Sequence, residues 1–299
     1  MSAIPPKARS YDLSVFESLM DLISLETYSI PLLESLLTHF QMEKLPKARS
    51  YAALDTLFIA KPMLAIMACL CICLDNCYKT RSLLQTTADR VHDCIEGILS
   101  WTLLLVDHVL APKSKDPLQR KELVGEFACL LLARLLRIDT RIDQVVTESE
   151  KTFEVIIKCW PACDILTPPP SNIFALILRE HMDATQERFE KDAFITYLLS
   201  DEKRLPRLAK GVVAHLDKVR EMLEGVKPTD ETFGPLQRAL KVLTVIVNRL
   251  SRNQSVYRAL RRAGFLQSWV KPTRFGCRTR LMQARGQDSK QSSGLESTT

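Results

Sequence analysis

Residues 232–266 read TFGPLQRALKVLTVIVNRLSRNQSVYRALRRAGFL, and this stretch decides the fold. Its apolar residues recur every three or four positions, the spacing that gathers side chains on one side of an α-helix. Leu243 and Val247 belong to the apolar side, whereas Arg238 and Lys241 fall on the opposite side. The stretch therefore predicts two consecutive amphipathic helices. Their predicted bounds are 232–251 and 254–263.

The same spacing recurs along almost the whole chain of 299 residues. No stretch alternates apolar and polar residues between turn residues, so nothing favours a β-sheet. Pro62 and Pro206 stand where first helical turns are expected, because these positions tolerate a missing N–H. Thr147 and Glu150 match a capping box, which predicts another helix start. The sequence is therefore expected to be all-α. The remaining predicted helices are 11–24, 31–44, 47–60, 62–77, 81–110, 117–137, 149–159, 172–184, 187–199 and 205–224.

The spacing of the predicted helices bears on the architecture. Helix starts recur at intervals of about 30 to 40 residues, a period typical of helical-hairpin repeats. Only nine glycines are present, so few tight turns that need a positive φ are expected. We therefore predict an irregular solenoid of helical hairpins. A large globular helical bundle is the alternative.

One short segment carries a family resemblance. Residues 253–266 are similar to the end of an armadillo-type repeat, in which an Asn opens a helix, a Gly closes it and an apolar pair starts the next helix. In this chain those residues are Asn253, Gly264 and the pair Phe265 and Leu266. The resemblance implies an armadillo- or HEAT-like helical repeat protein.

A looser resemblance extends over the whole helical stretch. It looks like the N-terminal helical region of uncharacterised fungal proteins that end in a MYND-type zinc finger. Only Cys277 follows Cys163 in this sequence, so the paired cysteines of such a finger are missing. Whatever the finger confers on those proteins is therefore not expected here.

Three segments are expected along the chain. Residues 1–10 are predicted to be a flexible N-terminus, 11–270 a helical-repeat-like domain, and 271–299 a disordered basic and polar tail. The start of the sequence lacks the apolar stretch of a secretory signal. The strongest apolar run, residues 63–74, is shorter than the roughly 20 residues that span a bilayer. We therefore expect an intracellular protein, cytoplasmic or nuclear, with no membrane partner.

The nine cysteines are the first candidates for a chemical site. Cys69, Cys73 and Cys77 fall on one helical face, while Cys71 points elsewhere. The outer two of that stripe lie about 12 Å apart, too far to share one zinc ion. Cys163 follows Cys159 at a spacing one residue too long for a thioredoxin-type motif. Buried, reduced thiols are therefore predicted, with no metal site.

Catalytic motifs give no positive signal. The five histidines never pair at i+3 or i+4, and the chain contains no GxSxG, P-loop or GxGxxG pattern. Nothing in the sequence therefore favours metal-assisted, nucleophilic or nucleotide-dependent chemistry. We predict a protein that is not an enzyme, with no cofactor and no catalytic, cofactor-binding or metal-ligating residues.

Charge is the feature that points to a function. Residues 232–287 contain twelve Lys or Arg and no Asp or Glu, whereas residues 1–231 carry a net charge of −5. On the helix predicted at 232–251 the basic residues occupy a sector of about 80° opposite the apolar side. A solvated face and an anion-binding surface both remain open, because clustered arginines repel each other unless something offsets their charge. The predicted partner-binding residues are Arg238, Lys241, Arg249, Arg252, Arg258, Arg261 and Arg262.

These observations favour a non-enzymatic helical scaffold for protein–protein interaction, because helical repeats present extended surfaces. Its expected partner is a protein, and an acidic one fits the basic residues. The alternative is a nucleic-acid-binding helical protein that uses the basic C-terminal face. That end holds few aromatic residues to stack on bases, which makes nucleic acid the second choice. An enzyme of an unrecognised type ranks third.

Overall fold

The computed structural model describes residues 28–45, 56–110, 118–160, 192–227 and 229–270. Every regular element in these ranges is helical, which confirms the all-α prediction for this part of the chain. The predicted helices 11–24 and 172–184 and the predicted tail lie outside the described residues. The helices are α1 (Ile30–Leu37), α2 (Thr56–Lys79), α3 (Arg81–Val109), α4 (Leu118–Leu135), α5 (Thr140–Glu148), α6 (Glu150–Cys159), α7 (Ala193–Leu199), α8 (Arg204–Gly225), α9 (Phe233–Leu250), α10 (Gln254–Arg262) and α11 (Phe265–Val270).

The first six helices form a group around α3, here called the N-terminal helix group. Helix α3 packs against α1, α2, α4, α5 and α6, so its buried residues occur along its whole length. The segment after α1 approaches α3 closely at Gly97, where a Cβ would collide with the carbonyl oxygen of Phe40. Trp101 lies one turn further along and donates its indole N–H to the carbonyl of Gln41. The close backbone contact at Gly97 and the hydrogen bond from Trp101 therefore hold the segment after α1 against α3.

The remaining five helices form the C-terminal helix group, which surrounds α8. Helices α7, α9, α10 and α11 each pack against α8. Helix α6 contacts α7 and α8 as well as α3 and α4, so it joins the two groups. One continuous cluster of buried apolar side chains runs through both groups. Each fully buried Leu, Val or Ile contributes about 1.5–3 kcal/mol, which makes this shared core the main source of stability.

Helix α10 shows how the local sequence sets its own bounds. The Asn253 side chain accepts hydrogen bonds from the backbone N–H of Ser255 (3.0 Å) and Val256 (3.2 Å), so it caps the helix start. Gly264 ends the helix with a φ of +95°, a conformation that other residue types rarely adopt. Phe265 then begins α11 and is buried. The Asn start, the Gly end and the new helix at the apolar pair were all predicted.

Two predicted helices, 47–60 and 62–77, are not separate. The structure has one helix, α2, that runs from Thr56 to Lys79 with Pro62 inside it. Proline removes a single backbone hydrogen bond, and a helix continues through it when tertiary packing compensates. From Met63 onward α2 is buried among α1, α3 and α4, so packing outweighs the local effect of the proline.

The predicted helix 31–44 is also shorter than expected. Helix α1 ends at Leu37, and two 3₁₀ turns, Thr38–Phe40 and Met42–Lys44, follow it. Gln41 between them is extended, so the helical path is broken at that residue. Phe40 is fully buried, and this side chain fixes the turn against α3.

Helix α5 was not predicted. Asp139 caps it by accepting a hydrogen bond from the backbone N–H of Arg141 at 2.8 Å. The predicted capping box of Thr147 is wrong, because the Thr147 hydroxyl donates to the Asp143 carbonyl within α5. Helix α6 begins after Ser149 instead. The Thr147 hydroxyl sits in the last turn of one helix and therefore does not cap the next.

Candidate functional site

The predicted partner-binding residues on α9 lie opposite its buried side. Leu236, Leu243 and Val247 are buried against the core, whereas Arg238 and Lys241 are exposed. The helical repeat of 3.6 residues accounts for this separation, because the two sets differ by about half a turn. The amphipathic pattern therefore holds the basic side chains in solvent.

The same arrangement recurs on α10. Val256 and Leu260 are buried, and Arg258, Arg261 and Arg262 are exposed. All the predicted partner-binding residues are thus placed on α9, on α10 or in the turn between them. Arg252, predicted to extend the α9 stripe, is exposed in that turn just after the helix ends, and Arg249 is half-buried. Together these seven residues are called the basic face.

Five members of the basic face have no carboxylate partner among the described residues. Within the described ranges, no ion pair involves Arg238, Lys241, Arg258, Arg261 or Arg262. Arg249 and Arg252 each take part in a further interaction. The side chain of Tyr257 on α10 is exposed to solvent as well. The basic face is therefore a solvent-facing surface with most of its positive charge unneutralised by the neighbouring helices.

The structure reveals a second charged arrangement, on α3, that the sequence reasoning missed. Glu96 and Asp107 follow Asp89 by seven and eighteen residues along α3, close to whole numbers of turns, so the three carboxylates form one line on the helix surface. Each carboxylate pairs with a cation from another helix. The pairs are Asp89 with Arg141, Glu96 with Lys151, and Asp107 with Lys158. The signal that could have found this line is the repeat of acidic residues at whole turns of α3.

A cleft of about 410 Å³ opens where α6, α7 and α8 meet, with one residue of α3 in its wall. Glu154 of α6 is one of its lining residues and is half-buried. The Tyr197 hydroxyl donates to Glu154 Oε2 at 2.8 Å, and Lys158 Nζ lies 2.9 Å from Glu154 Oε1. Burial raises the pKa of Glu154, but these two hydrogen bonds outweigh it and hold the pKa below its usual value. Glu154 is therefore charged and ties α6 to α7.

Arg204 and Arg207 of α8 form the other wall of the cleft. The Arg204 guanidinium stacks over the Tyr197 ring, 3.7 Å from its centre. Its Nη1 donates to the Tyr197 carbonyl (3.1 Å) and to the Ser200 hydroxyl (2.8 Å). Burial, followed by the hydrogen bond to Glu154, raises the pKa of Tyr197. No sequence motif marks this site, because its residues come from three helices.

The cysteines of α2 are packing residues in the structure. Cys69, Cys71, Cys73 and Cys77 are all buried, as predicted. Cys71 lies on a different face of the helix from the other three and is buried too, because α2 is enclosed by α1, α3 and α4. Burial raises the pKa of Cys69 and Cys77 to about 11 and the pKa of Cys71 and Cys73 to about 12. These thiols are therefore uncharged at neutral pH.

Neither a metal-ligand cluster nor a membrane-spanning helix occurs among the described residues. Within the described ranges, no three His, Cys, Asp or Glu side chains converge as a metal ion would require. Across the same residues, no helix combines the length and the apolar character needed to cross a bilayer. Cys163, whose spacing from Cys159 was compared with a thioredoxin-type motif, lies outside the described residues.

Comparison with known proteins was made at three levels. No family model matches the chain. No curated protein matches it, and no solved structure matches it. The resemblance of residues 253–266 to an armadillo-type repeat stays a prediction for this reason. Function is accordingly inferred from the geometry of the charged groups.

Proposed function

We propose that this chain is a non-enzymatic helical scaffold that binds an acidic protein segment on the basic face. The observation that carries the proposal is the set of five exposed cations on α9 and α10 that form no ion pair with the described residues. Arginine favours this role, because its planar guanidinium binds a carboxylate through two parallel hydrogen bonds.

An extended scaffold is part of the proposal. The packing of α8 against α9, and of α10 against α11, supports an irregular armadillo- or HEAT-like solenoid of helical hairpins. The contacts of α3 with five helices support the alternative, a large globular bundle. The basic face has the same solvent-exposed position in either architecture.

The dimensions of the basic face suit an extended partner. Arg238 and Arg249 are eleven positions apart on α9, which corresponds to about 16 Å along its axis. Exposed ion pairs contribute about 0–1 kcal/mol each, so binding requires several of them together. We expect the association to weaken with salt, because exposed charges are screened over about 10 Å at 0.1 M ionic strength.

A protein partner is favoured over nucleic acid by the charge of the rest of the chain. Residues 1–231 carry a net charge of −5, which repels the uniformly negative phosphate backbone. An acidic segment of a folded protein has a limited length and engages the basic face without approaching that region. Tyr257 is an exposed aromatic on α10, and single-stranded nucleic acid usually binds to several stacking residues.

The experiment compares two variants that lose the same charge. The first replaces the five unpaired members of the basic face with Gln. The matched control replaces five exposed cations elsewhere. The first variant is Arg238→Gln, Lys241→Gln, Arg258→Gln, Arg261→Gln and Arg262→Gln, and the control is Arg81→Gln, Arg137→Gln, Lys210→Gln, Lys218→Gln and Lys227→Gln.

Binding of fluorescent poly-L-glutamate is measured by stopped flow at low and high salt. We expect the basic-face variant to associate about tenfold more slowly than the wild type at low salt, with the control close to wild type. Equal loss in both variants would show that net charge, and not the basic face, governs binding. Tighter binding of single-stranded or duplex DNA than of poly-glutamate would favour the nucleic-acid alternative.

A further inference from the structure

The cleft between α6, α7 and α8 contains more cations than its own carboxylates engage. Lys151, Lys203, Arg204 and Arg207 line it, together with three acidic residues. Leu103 of α3 and Ile157 of α6 add an apolar wall. Its volume of about 410 Å³ lies in the range of small-molecule sites. The cleft is separate from the basic face, since α9 and α10 contribute none of its lining.

Glu154 does not satisfy the two arginines. Its oxygens already accept one hydrogen bond from the Tyr197 hydroxyl at 2.8 Å and engage Lys158 at 2.9 Å. Arg204 Nε lies 3.8 Å from Glu154 Oε2, and Arg207 Nη1 lies 3.9 Å from Glu154 Oε1. Both distances exceed hydrogen-bond length. The carboxylate therefore attracts both guanidinium groups but accepts no hydrogen bond from either of them.

Arg204 is held in place before any ligand arrives. Its plane stacks on the Tyr197 ring, and Nη1 is fixed by the Tyr197 carbonyl and the Ser200 hydroxyl. Within the described ranges, Nη2 of Arg204 has no hydrogen-bond partner. Fixing a long side chain in advance lowers the entropy lost on binding. Arg204 thus offers an oriented donor group to an anion in the cleft.

The other two carboxylates of the cleft, Asp201 and Glu150, each have a stabilising role in the fold. Asp201 Oδ1 accepts the backbone N–H of Lys203 at 2.8 Å. Glu150 is exposed in the first turn of α6, where the helix dipole stabilises a negative charge. Of the four cations, Lys151 already pairs with Glu96 of α3. Lys203, Arg204 and Arg207 remain as the groups that face an incoming anion.

We propose that this cleft binds a small organic anion, a carboxylate or a phosphate monoester, through Arg204 and Arg207. The apolar part of the ligand contacts Leu103 and Ile157. Lys203, at the mouth of the cleft, adds attraction without fixed geometry. The site is independent of the basic face, and its occupancy does not require the proposed scaffold function.

The experiment titrates the full chain with phenyl phosphate and with benzoate by calorimetry at constant ionic strength. Phenol is the neutral probe of similar shape. We expect an anionic probe to bind and phenol not to bind, and the better probe identifies the preferred anion. Arg207→Gln should weaken binding about tenfold or more, since a hydrogen bond between charged groups is lost. Arg207 is exposed, so this variant keeps the fold, as circular dichroism will verify.

Arg137→Gln, in the turn after α4, is the matched control, because it removes the same charge outside both the cleft and the basic face. Unchanged affinity in Arg137→Gln and reduced affinity in Arg207→Gln would support the proposal. Equal affinity in wild type and Arg207→Gln, equal binding of phenol, or no binding of either anionic probe at millimolar concentration would overturn it. Each of these results leaves the proposed function of the basic face to its own experiment.

Discussion

The two helix groups use charge in opposite ways. In the N-terminal group, the acidic line of α3 meets cations from α5 and α6, and Glu34 of α1 pairs with Arg90 at 2.9 Å. In the C-terminal group, the basic face carries only positive charges, and five of its seven cations form no ion pair with any described residue. Charge thus connects helices in one group and faces solvent in the other.

This difference separates two causes of a charged helix surface. Ion pairs between helices favour one arrangement of the helices, although each exposed pair adds only about 0–1 kcal/mol to stability. A surface of one sign repels itself and adds nothing to the packing of its helices. The N-terminal pairs are therefore explained by the fold, whereas five cations of the basic face form no ion pair with the described residues and are the groups that the proposed acidic partner would engage.

Packing tightness gives the largest expected contrast between the groups. Gly97→Ala should destabilise the protein by about 3 kcal/mol, because the new methyl group collides with the Phe40 backbone carbonyl. Gly234→Ala on α9 meets no atom within 4 Å and should stabilise it by about 0.5 kcal/mol. Urea unfolding of both variants measures the two values. A tolerated Gly97→Ala would show that α3 and the segment after α1 are not interlocked.

The charged cleft gives the next largest effect. Glu154→Gln should cost about 1–2 kcal/mol, because Lys158 and Tyr197 lose a half-buried charged partner. Glu34→Gln makes the same chemical change in the exposed pair with Arg90 and should cost less than 1 kcal/mol. Thermal unfolding of both variants tests the role of burial. Equal losses would mean that burial does not strengthen the Glu154 contacts.

The pH dependence of stability tests the Glu154 carboxylate in the unsubstituted protein. Its pKa is lowered in the folded protein, so the unfolded chain binds the proton more strongly. The stability contributed by Glu154 is full above its usual pKa of 4.5 and is lost as the pH falls below that value. Urea unfolding between pH 3 and 7 should show a shallower acid loss in Glu154→Gln. The same slope in both proteins would contradict the assigned pKa direction.

The basic face should give the smallest effect on stability. Replacing its five unpaired cations with Gln should change the free energy of unfolding by less than about 0.5 kcal/mol, as is usual for exposed positions. Added salt should stabilise the wild type slightly more than this variant, because it screens the mutual repulsion of the cations. A large loss of stability would mean that the basic face supports the fold, as the N-terminal ion pairs do.

The sequence predicts features that depend on local order along the chain. The helix expected at 81–110 is α3, because its apolar periodicity extends over eight turns. The basic face was found because its members follow one another on consecutive helices. Helix α5 was missed, since only Ile142 and Val146 are buried in its nine residues. Short elements carry too few apolar positions to reveal a period.

The charged cleft depends on distant residues, and no local pattern contains it. Glu154 and Tyr197 are separated by 43 positions, and Arg204 reaches them from a third helix. Pro62 illustrates a different error. A proline was expected to mark a helix start, but the packing of α2 among three helices allows the helix to continue through it. Both cases required tertiary contacts that periodicity and spacing do not encode.

The buried thiols of α2 affect how the protein behaves once it unfolds in air. While folded, Cys69, Cys71, Cys73 and Cys77 are shielded from oxidants and lack the thiolate form that oxidants attack. Unfolding returns their pKa to about 8.5 and places four neighbouring thiols in solvent. Disulfides then form within or between unfolded chains and block refolding. Without a reducing agent, we therefore expect a melting experiment to report the rate of an irreversible loss, and an apparent Tm that depends on the heating rate would show it.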